Sequence, residues 1–199
     1  ERAAVSLPIP GKFTVYNALT VMGIAKQLGI SLTDCAAALK TASGVKGRVE
    51  VVPTPGKDYT ILIDYAHTPD SMVNVLQTVK EFAKGRTVAV FGCGGCRDKG
   101  KRPLMGAAAG QYADLTVLTS DNPRTEDPLA IIRDILPGLS GPHLVIPDRR
   151  EAIFRALDLA RPGDTVILCG KGHEITQETG GHRLPMDERQ IIAEYINGS

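Results

Sequence analysis

The sequence has almost no net charge, since 23 Lys and Arg residues balance 22 Asp and Glu residues and leave +1 at pH 7. This balance excludes the strongly basic surface of a nucleic-acid-binding protein, and no acidic tail is present. No apolar run approaches the ~20 residues that a membrane-spanning helix needs. The first five residues also lack the hydrophobic segment of a signal peptide. We therefore expect neither a nucleic acid nor a membrane as partner.

Cysteine is scarce, with four residues in 199. So few cysteines in a chain of this length are not the disulfide framework of a small secreted domain, which favours a reducing cytoplasm. The chain also lacks low-complexity tracts, because its glycines and prolines lie in short loops. With 43% hydrophobic residues, the composition is that of a globular protein with a real core.

The first part of the chain shows a helical period. Apolar residues recur at helical spacing over residues 16–28, and Gly29 is typical of the position after a helix. The sequence from Ser31 to Asp34 has the pattern of a capping box and predicts a second helix to about Ala42. A domain boundary follows over residues 43–47, and the loop around residues 44–47 is a candidate hinge.

After Arg48 the pattern changes to alternating strands and helices. Short β-branched runs predict strands over residues 60–63, 87–91, 115–119, 144–146 and 165–169. Helical periods occupy residues 69–84, 102–112, 128–136, 149–160 and 187–196. This alternation predicts a Rossmann-like α/β domain over residues 48–199, with a mostly parallel sheet and helices on both faces. Residues 182–186 are predicted to form an antiparallel hairpin at the sheet edge.

Four of the five predicted strand ends carry Gly, Asp, Arg or His, and ligands of such sheets bind outside these ends. The glycine-rich segment 92–102 suits an anion, and its cations favour a carboxylate or phosphate: Arg97, Lys99, Lys101 and Arg102. It is neither a P-loop nor a dinucleotide fingerprint. The alternative is a tight turn with solvated charges.

The segment Asp121-Asn122-Pro123-Arg124 fits a zwitterionic amino acid, because Arg binds carboxylates while Asp and Asn accept from an ammonium. The alternative is an Asx turn with a surface ion pair. Glu174, after the most hydrophobic strand, could hold an ammonium group, and His173 is a weaker candidate for a general base. The alternative there is a flexible turn.

Two further groups have open alternatives. Asp64 follows a strand and is placed either to accept from ribose hydroxyls or to cap the next helix. Cys93 and Cys96 form a C-x-x-C pair that, with Cys169 and His173, could be a zinc site or a redox dithiol.

Taken together, six segments resemble the Mur ligase family, in the family's order: Asn17-Ala-Leu, Gly47-Arg48-Val-Glu50, and residues 64–69, 92–105, 120–128 and 170–174. The resemblance implies a cytoplasmic, monomeric bacterial enzyme that uses ATP and Mg²⁺. It would join meso-diaminopimelate to UDP-MurNAc-L-Ala-D-Glu during peptidoglycan precursor synthesis. Asp-Asn-Pro-Arg marks the diaminopimelate-adding members, which argues against the D-Ala-D-Ala-adding and folylpolyglutamate members. Diaminopimelate has a second carboxylate for Arg124, whereas lysine has none.

The resemblance also implies roles for single residues. The expected meso-diaminopimelate site consists of Arg97, Asp121, Asn122, Arg124, Gly170 and Glu174. The expected ATP contacts are Asn17 at the adenine, Arg48 near the phosphates, Asp64 at the ribose and His67 nearby. No catalytic residue and no metal ligand is expected within the chain.

Three departures from the family pattern qualify this expectation. The chain has no Gly-x-x-x-x-Gly-Lys-Ser/Thr loop, so residues 1–47 resemble the last helices of the central ATPase domain and residues 48–199 the C-terminal domain. We therefore expect a fragment that is inactive alone. Cys96 stands where the family usually has an acidic residue, and Thr14 where it has Asn. The rival hypothesis of a different class is a non-catalytic amino-acid-binding module.

Overall fold

The computed structural model describes residues 2–9 and 11–198. The chain divides into two compact units, Glu1–Val45 and Lys46–Ser199. This division lies two residues before the boundary expected from the sequence. The assignment of the first unit to an ATPase domain stays a prediction. None of the helices in the described residues is long and apolar enough to cross a membrane.

The first unit contains two helices, as predicted. Helix α1 (Lys12–Gln27) begins four residues earlier than the apolar period indicates, and Gly29 follows it with a φ of 83°. Helix α2 (Leu32–Lys40) begins after Ser31, whose side chain accepts a hydrogen bond from the backbone N–H of Asp34 at 3.1 Å. The predicted cap is thus confirmed, because this bond satisfies one of the free N–H groups of the first turn.

The second unit is the predicted α/β domain. Its strands are β1 (Glu50–Val52), β2 (Thr60–Asp64), β3 (Thr87–Phe91), β4 (Leu115–Leu118), β5 (His143–Val145), β6 (Thr165–Cys169), β7 (Thr176–Thr179) and β8 (His182–Pro185). Its helices are α3 (Pro69–Phe82), α4 (Lys101–Tyr112), α5 (Pro128–Ile135), α6 (Arg149–Asp158) and α7 (Glu188–Gly198), with a 3₁₀ turn at Leu136–Gly138.

Six strands form one sheet in the order β1-β2-β6-β3-β4-β5, and every neighbouring pair is parallel except β1 with β2. Strands β3 and β6 are buried at all five positions. Alternate side chains point to two hydrophobic clusters, one beneath α3, α4 and α5 and the other beneath α6 and α7. The prediction of a parallel sheet covered on both faces is therefore confirmed.

The hairpin is present but lies elsewhere than predicted. Strands β7 and β8 form a separate two-stranded antiparallel sheet instead of extending the edge of the main sheet. The free side of β7 bonds to the loop after β4, since Glu178 O accepts from the backbone N–H of Arg124 at 2.9 Å. The antiparallel edge strand is β1, which the sequence analysis did not find.

The last residue of the candidate hinge, Gly47, is closely packed. Gly47 has a φ of 73°, and a Cβ there would lie 2.3 Å from the backbone nitrogen of His173. Its N–H donates to Glu50 Oε2 at 2.6 Å, and Glu50 is paired with Arg189. Gly47 is thus packed within the second unit, and the hinge at residues 44–47 stays a prediction.

Candidate ligand-binding site

A cavity of about 320 Å³ opens at the carboxyl ends of β3, β4 and β6. Seven of the ten predicted site residues line it: His67, Arg97, Asp121, Asn122, Arg124, Gly170 and Glu174. Six of these form the complete set expected for an amino-acid ligand. His67, expected beside a nucleotide, lies on the wall of this same cavity. Asn17, Arg48 and Asp64 are not part of its lining.

Hydrogen bonds to the β7–β8 hairpin hold the loop of residues 121–124 in its conformation. Arg124 adopts a left-handed backbone with a φ of 55°, which is uncommon for a residue other than glycine. Its N–H donates to Glu178 O at 2.9 Å, and its carbonyl accepts from Gly180 N at 2.6 Å. The amide of Gln177 donates to Asp121 O at 2.7 Å. These bonds hold the strained backbone in place, as is common at ligand sites.

Arg124 connects this loop to the glycine-rich loop after β3. Its Nη1 donates to Gly95 O at 2.7 Å, and its Nε lies 3.3 Å from a carboxylate oxygen of Glu178. Its Nη2 has no hydrogen-bond partner among the described residues. The guanidinium is therefore oriented by the protein while one of its nitrogens stays available for a ligand carboxylate.

Arg97 is the second guanidinium on the cavity wall. It is exposed, and its only hydrogen bond among the described residues is a long one of 3.4 Å from Nη1 to Cys96 O. No carboxylate of the described chain is paired with it, so Arg97 can bind an anion without breaking an existing ion pair.

Asp121 presents a buried carboxylate oxygen without a partner. Its Oδ1 accepts from the backbone N–H of Asn122 at 2.7 Å, whereas Oδ2 is buried and has no hydrogen bond. Gly170, with a φ of 111°, packs against this atom so closely that a Cβ would lie 2.6 Å from it. An unpaired buried carboxylate oxygen is costly, and a ligand ammonium group would satisfy it.

Glu174 also lines the cavity and is hydrogen-bonded to the 121–124 loop. Its Oε2 accepts from Asn122 Nδ2 and from Lys171 Nζ, both at 2.9 Å. Partial burial acts to raise the pKa of Glu174, but the bonds from Lys171 and Asn122 outweigh it, and the pKa lies below its usual value. Glu174 is thus a fixed, ionised carboxylate.

Two buried cations behind the cavity were missed by the sequence analysis. Lys171 is fully buried and also donates to Asn122 Oδ1 at 2.9 Å. Arg149, at the start of α6, donates to Ser120 O at 3.1 Å and to Cys169 O at 2.9 Å, and it pairs with buried Glu188 at 2.8 Å. Arg149 therefore ties together the ends of β4 and β6, which carry most of the site.

The cations of the glycine-rich segment have mainly structural roles, which corrects part of the anion-binding hypothesis. Arg102 is fully buried and binds both oxygens of Glu126 at 3.0 Å and Asp134 at 2.8 Å. Glu126 also accepts the backbone N–H of Cys96, and Lys99 lies 3.6 Å from it. Lys101 lines the cavity but donates to His67 O at 2.7 Å. Among the described residues, Arg97 and Lys101 are thus the two cations of this segment without a carboxylate partner, and Lys101 is already bonded to a backbone carbonyl.

Asp64 has a structural role that was not predicted. Its two oxygens accept from the backbone N–H groups of Val49 and Ala66, at 2.8 and 2.7 Å. Burial raises the pKa of Asp64. It does not cap α3, because Thr68 occupies the cap position and accepts from Ser71 N. The alternative of a helix cap is therefore wrong for Asp64, and its contact with a ribose stays a prediction.

The other two residues expected at ATP are both exposed. The Arg48 guanidinium lies 5.1 Å from the centroid of the Tyr65 ring, which also contacts the rings of His67 and His173. Asn17 lies on α1 in the first unit. Their roles at the nucleotide stay predictions.

The four cysteines are all free and lie in different surroundings. Burial raises the pKa of Cys93 to about 12 and that of Cys169 well above its usual value. Cys96 is exposed, with its sulfur 3.1 Å from Thr125 Oγ1. In the described part of the chain, no group of three or more His, Cys, Asp or Glu side chains could hold a metal. The zinc alternative therefore lacks the cluster of ligands it requires, whereas the dithiol alternative stays a prediction for a buried Cys93 and an exposed Cys96.

The chain is similar in sequence to a known protein family. Residues 47–172 match the family model described as "Mur ligase, glutamate ligase domain". The chain belongs to the Mur ligase family. A UDP-N-acetylmuramoyl-L-alanyl-D-glutamate–2,6-diaminopimelate ligase of Caldanaerobacter subterraneus subsp. tengcongensis is 50% identical over 98% of this chain, and the same enzyme of Bacillus cereus is 45% identical over 100%.

Solved structures of Mur ligases show the same fold. The chain superposes on a UDP-N-acetylmuramoyl-L-alanyl-D-glutamate–2,6-diaminopimelate ligase with a TM-score of 0.78, at 40% identity over 98% of this chain and 40% of the other. The UDP-N-acetylmuramate–alanine ligase of Thermotoga maritima gives a TM-score of 0.69, at 25% identity over 100% of this chain and 41% of the other. The chain spans about two fifths of the length of the relatives it matches, namely 41% and 40% of the two sequences above.

Proposed function

We propose that this chain is part of an ATP-dependent ligase that adds meso-diaminopimelate to UDP-MurNAc-L-Ala-D-Glu, and that the cavity binds the diaminopimelate. The observation that carries the proposal is the cavity wall itself. Two guanidinium groups, Arg97 and Arg124, and two carboxylates, Asp121 and Glu174, line one cavity of about 320 Å³. The related enzymes are 2,6-diaminopimelate ligases, which supports the same substrate.

Of the charged side chains that line the cavity, Asp98 and Lys101 are bonded to backbone groups of the protein, and the other four match the charges of the proposed ligand. Diaminopimelate has two carboxylates and two amino groups, whereas lysine has two amino groups and one carboxylate. In our assignment Arg97 and Arg124 bind the carboxylates, and Asp121 Oδ2 and Glu174 accept hydrogen bonds from the amino groups. If lysine were bound, one guanidinium would have no carboxylate partner. The loss of a charged partner is costly, so the site should discriminate strongly against lysine.

The proposed reaction has two steps. The γ-phosphoryl group of ATP passes to the D-glutamyl carboxylate and gives an acyl phosphate and ADP. An amino group of diaminopimelate, having lost a proton, then attacks the acyl carbon, and phosphate leaves as the amide forms. The contribution of this chain is to hold the amino group in position, and orientation of this kind can supply several kcal/mol of the barrier.

The other substrates would be bound mainly outside this chain. The sequence contains no P-loop, and the relatives are more than twice as long. We propose that the rest of the protein binds the nucleotide phosphates and UDP-MurNAc-L-Ala-D-Glu. The described residues do not form a metal site, so we derive no step through Mg²⁺. Because the reaction consumes ATP, we place the protein in the cytoplasm, and we expect a monomer.

The test is the amino-acid specificity of the full-length protein. We expect phosphate release that depends on ATP, UDP-MurNAc-L-Ala-D-Glu and meso-diaminopimelate together, and little release when L-lysine replaces diaminopimelate. Equal rates with the two amino acids would refute the assigned carboxylate sites. Binding of diaminopimelate without any ligase activity would instead support the non-catalytic module.

A further inference from the structure

Lys171 is a fully buried lysine at the cavity to which the proposed function gives no role. Lysine is rarely buried, because the loss of water around an ammonium group is costly unless the charge is paired and hydrogen-bonded. Its Nζ lies 2.9 Å from Asn122 Oδ1 and 2.9 Å from Glu174 Oε2. Both partners line the cavity, so the buried charge is compensated by the site itself.

The contacts of Lys171 leave one oxygen of Glu174 available. Glu174 Oε2 accepts from both Lys171 Nζ and Asn122 Nδ2. Glu174 Oε1 has no hydrogen-bond partner in the described part of the chain, and the carboxylate is partly exposed. A carboxylate that is held at one oxygen offers the other in a fixed direction to a donor such as an ammonium group.

Lys171 also connects two strand ends that are not neighbours in the sheet. Lys171 follows β6 and Asn122 follows β4, while β3 lies between these strands. The turn that carries Lys171 is itself fixed, because Glu174 N donates to Lys171 O at 2.9 Å and Arg189 donates to Gly172 O at 3.1 Å. Lys171, held in this turn, therefore fixes the positions of Asn122 and Glu174 relative to each other.

We propose that Lys171 is a positioning residue, which does not touch the ligand but fixes Asn122 and Glu174 so that Glu174 Oε1 receives an amino group of diaminopimelate. This inference rests on the proposed function and adds a specificity-determining residue to it. Without the lysine, Glu174 Oε2 would keep only the hydrogen bond from Asn122 Nδ2, and Asn122 Oδ1 only the one from Glu178 N.

The charge of Lys171 has a second effect, which depends on pH. Other charged or titratable groups near Glu174 are His67, Arg97, Asp98, Lys101, Asp121, Arg124 and His173. Lys171 donates directly to Glu174, and its removal would leave mainly the hydrogen bond from Asn122 to oppose the partial burial that raises the pKa of that carboxyl. A protonated Glu174 would attract an ammonium group less. Loss of Lys171 should therefore weaken binding most at acidic pH.

The experiment compares Lys171→Met and Lys171→Gln with the wild type in the full-length protein. We expect the KM for meso-diaminopimelate to rise about tenfold or more, which is the usual effect of a lost charged hydrogen bond. The KM for ATP should be unchanged and kcat should change much less. In both variants the KM for diaminopimelate should rise further between pH 7 and 5.5, whereas that of the wild type should not. Lys171→Gln keeps a polar group and serves if the methionine variant does not fold.

Arg86→Met is the control for loss of a cation whose ion pair lies away from the cavity. Arg86 directly precedes β3 and pairs with Asp164, which directly precedes β6. Both therefore lie at the amino ends of these strands, whereas the cavity lies at the carboxyl ends. We expect this variant to lower the melting temperature without changing the KM for diaminopimelate. If the KM for diaminopimelate is unchanged in folded Lys171 variants, or rises equally in Arg86→Met, the role of Lys171 is overturned. The proposed function is not affected by that result. A wild-type protein that does not use diaminopimelate overturns the proposed function and this inference together.

Discussion

The Oδ2 atom of Asp121 lies so close to Gly170 that a Cβ on that residue would be 2.6 Å away. This contact joins the end of β4 to the end of β6. It also explains how a glycine, without a side chain, can determine the position of a charged group. The carboxylate can stay at the cavity wall only while residue 170 has no Cβ.

Gly170→Ala should therefore disturb both the backbone and the site. A φ of 111° is strained for alanine, which costs about 1–3 kcal/mol of the free energy of unfolding. The new methyl group should displace Asp121 and raise the KM for diaminopimelate. Urea unfolding and steady-state kinetics measure the two effects. Gly141→Ala is the control, because Gly141 has a φ of 82° with open space around it. Equal KM values in the two variants would contradict the packing role.

The Arg149–Glu188 pair should behave as a buried ion pair. Both side chains are almost completely inaccessible, so Arg149→Met leaves a buried carboxylate without its partner and should lower the free energy of unfolding by about 3–5 kcal/mol. Arg149→Met combined with Glu188→Leu should recover part of the loss, because the unpaired charge is then removed. Chemical denaturation checks both variants. If the double variant is no more stable than Arg149→Met, the unpaired charge of Glu188 is not the cause of the lost stability.

The Arg102–Glu126 pair should make stability depend on pH in the acidic range. Hydrogen bonds from Arg102 and from the Cys96 backbone lower the pKa of Glu126 to about 2. A carboxyl with a lowered pKa stabilises the fold above its unfolded pKa of about 4.3, and this stabilisation is lost as the pH falls towards 2. The difference in melting temperature between wild type and Glu126→Gln should therefore be large at pH 7 and shrink below pH 4.3. A constant difference from pH 7 to 2.5 would contradict this origin.

The cysteines should differ in reactivity, because only Cys96 is exposed. A short incubation of the native protein with iodoacetamide should alkylate Cys96 and leave Cys35, Cys93 and Cys169 unmodified. Peptide mass spectrometry gives the extent at each position, and alkylation in urea is the control in which all four should react. If Cys93 and Cys96 were equally protected from alkylation in the native state, a disulfide between them or a metal bound by both would instead be indicated.

The fold could be predicted wherever a signal is local. The continuous apolar runs of β3 and β6 predicted the observed bounds of both strands, and the Ser31 cap predicted the observed start of α2. Strand β1 was missed because it has only three residues and includes Glu50, whose side chain pairs with Arg189 far along the chain. Likewise the hairpin bonds to the 121–124 loop through contacts that no local pattern encodes.

The side chains that line the cavity could be predicted from residue type and strand position. The buried residues that hold those side chains in place could not. Arg97 and Arg124 could be named because chemistry at strand ends follows from the fold. Lys171 and Arg149 were missed because their burial depends on partners that lie 49 and 39 residues away in the sequence. A lysine between two glycines looks like an exposed turn until its partners are placed. The resemblance to a family supplied a ligand identity that the residues alone left open.

The most direct test of the account is a crystal structure of the full-length protein with meso-diaminopimelate bound. We predict that the ligand occupies the cavity, with one carboxylate on Arg124 Nη2, the other on Arg97, and amino groups on Asp121 Oδ2 and Glu174 Oε1. A ligand that binds elsewhere, or that leaves both guanidinium groups without a contact, would contradict the account.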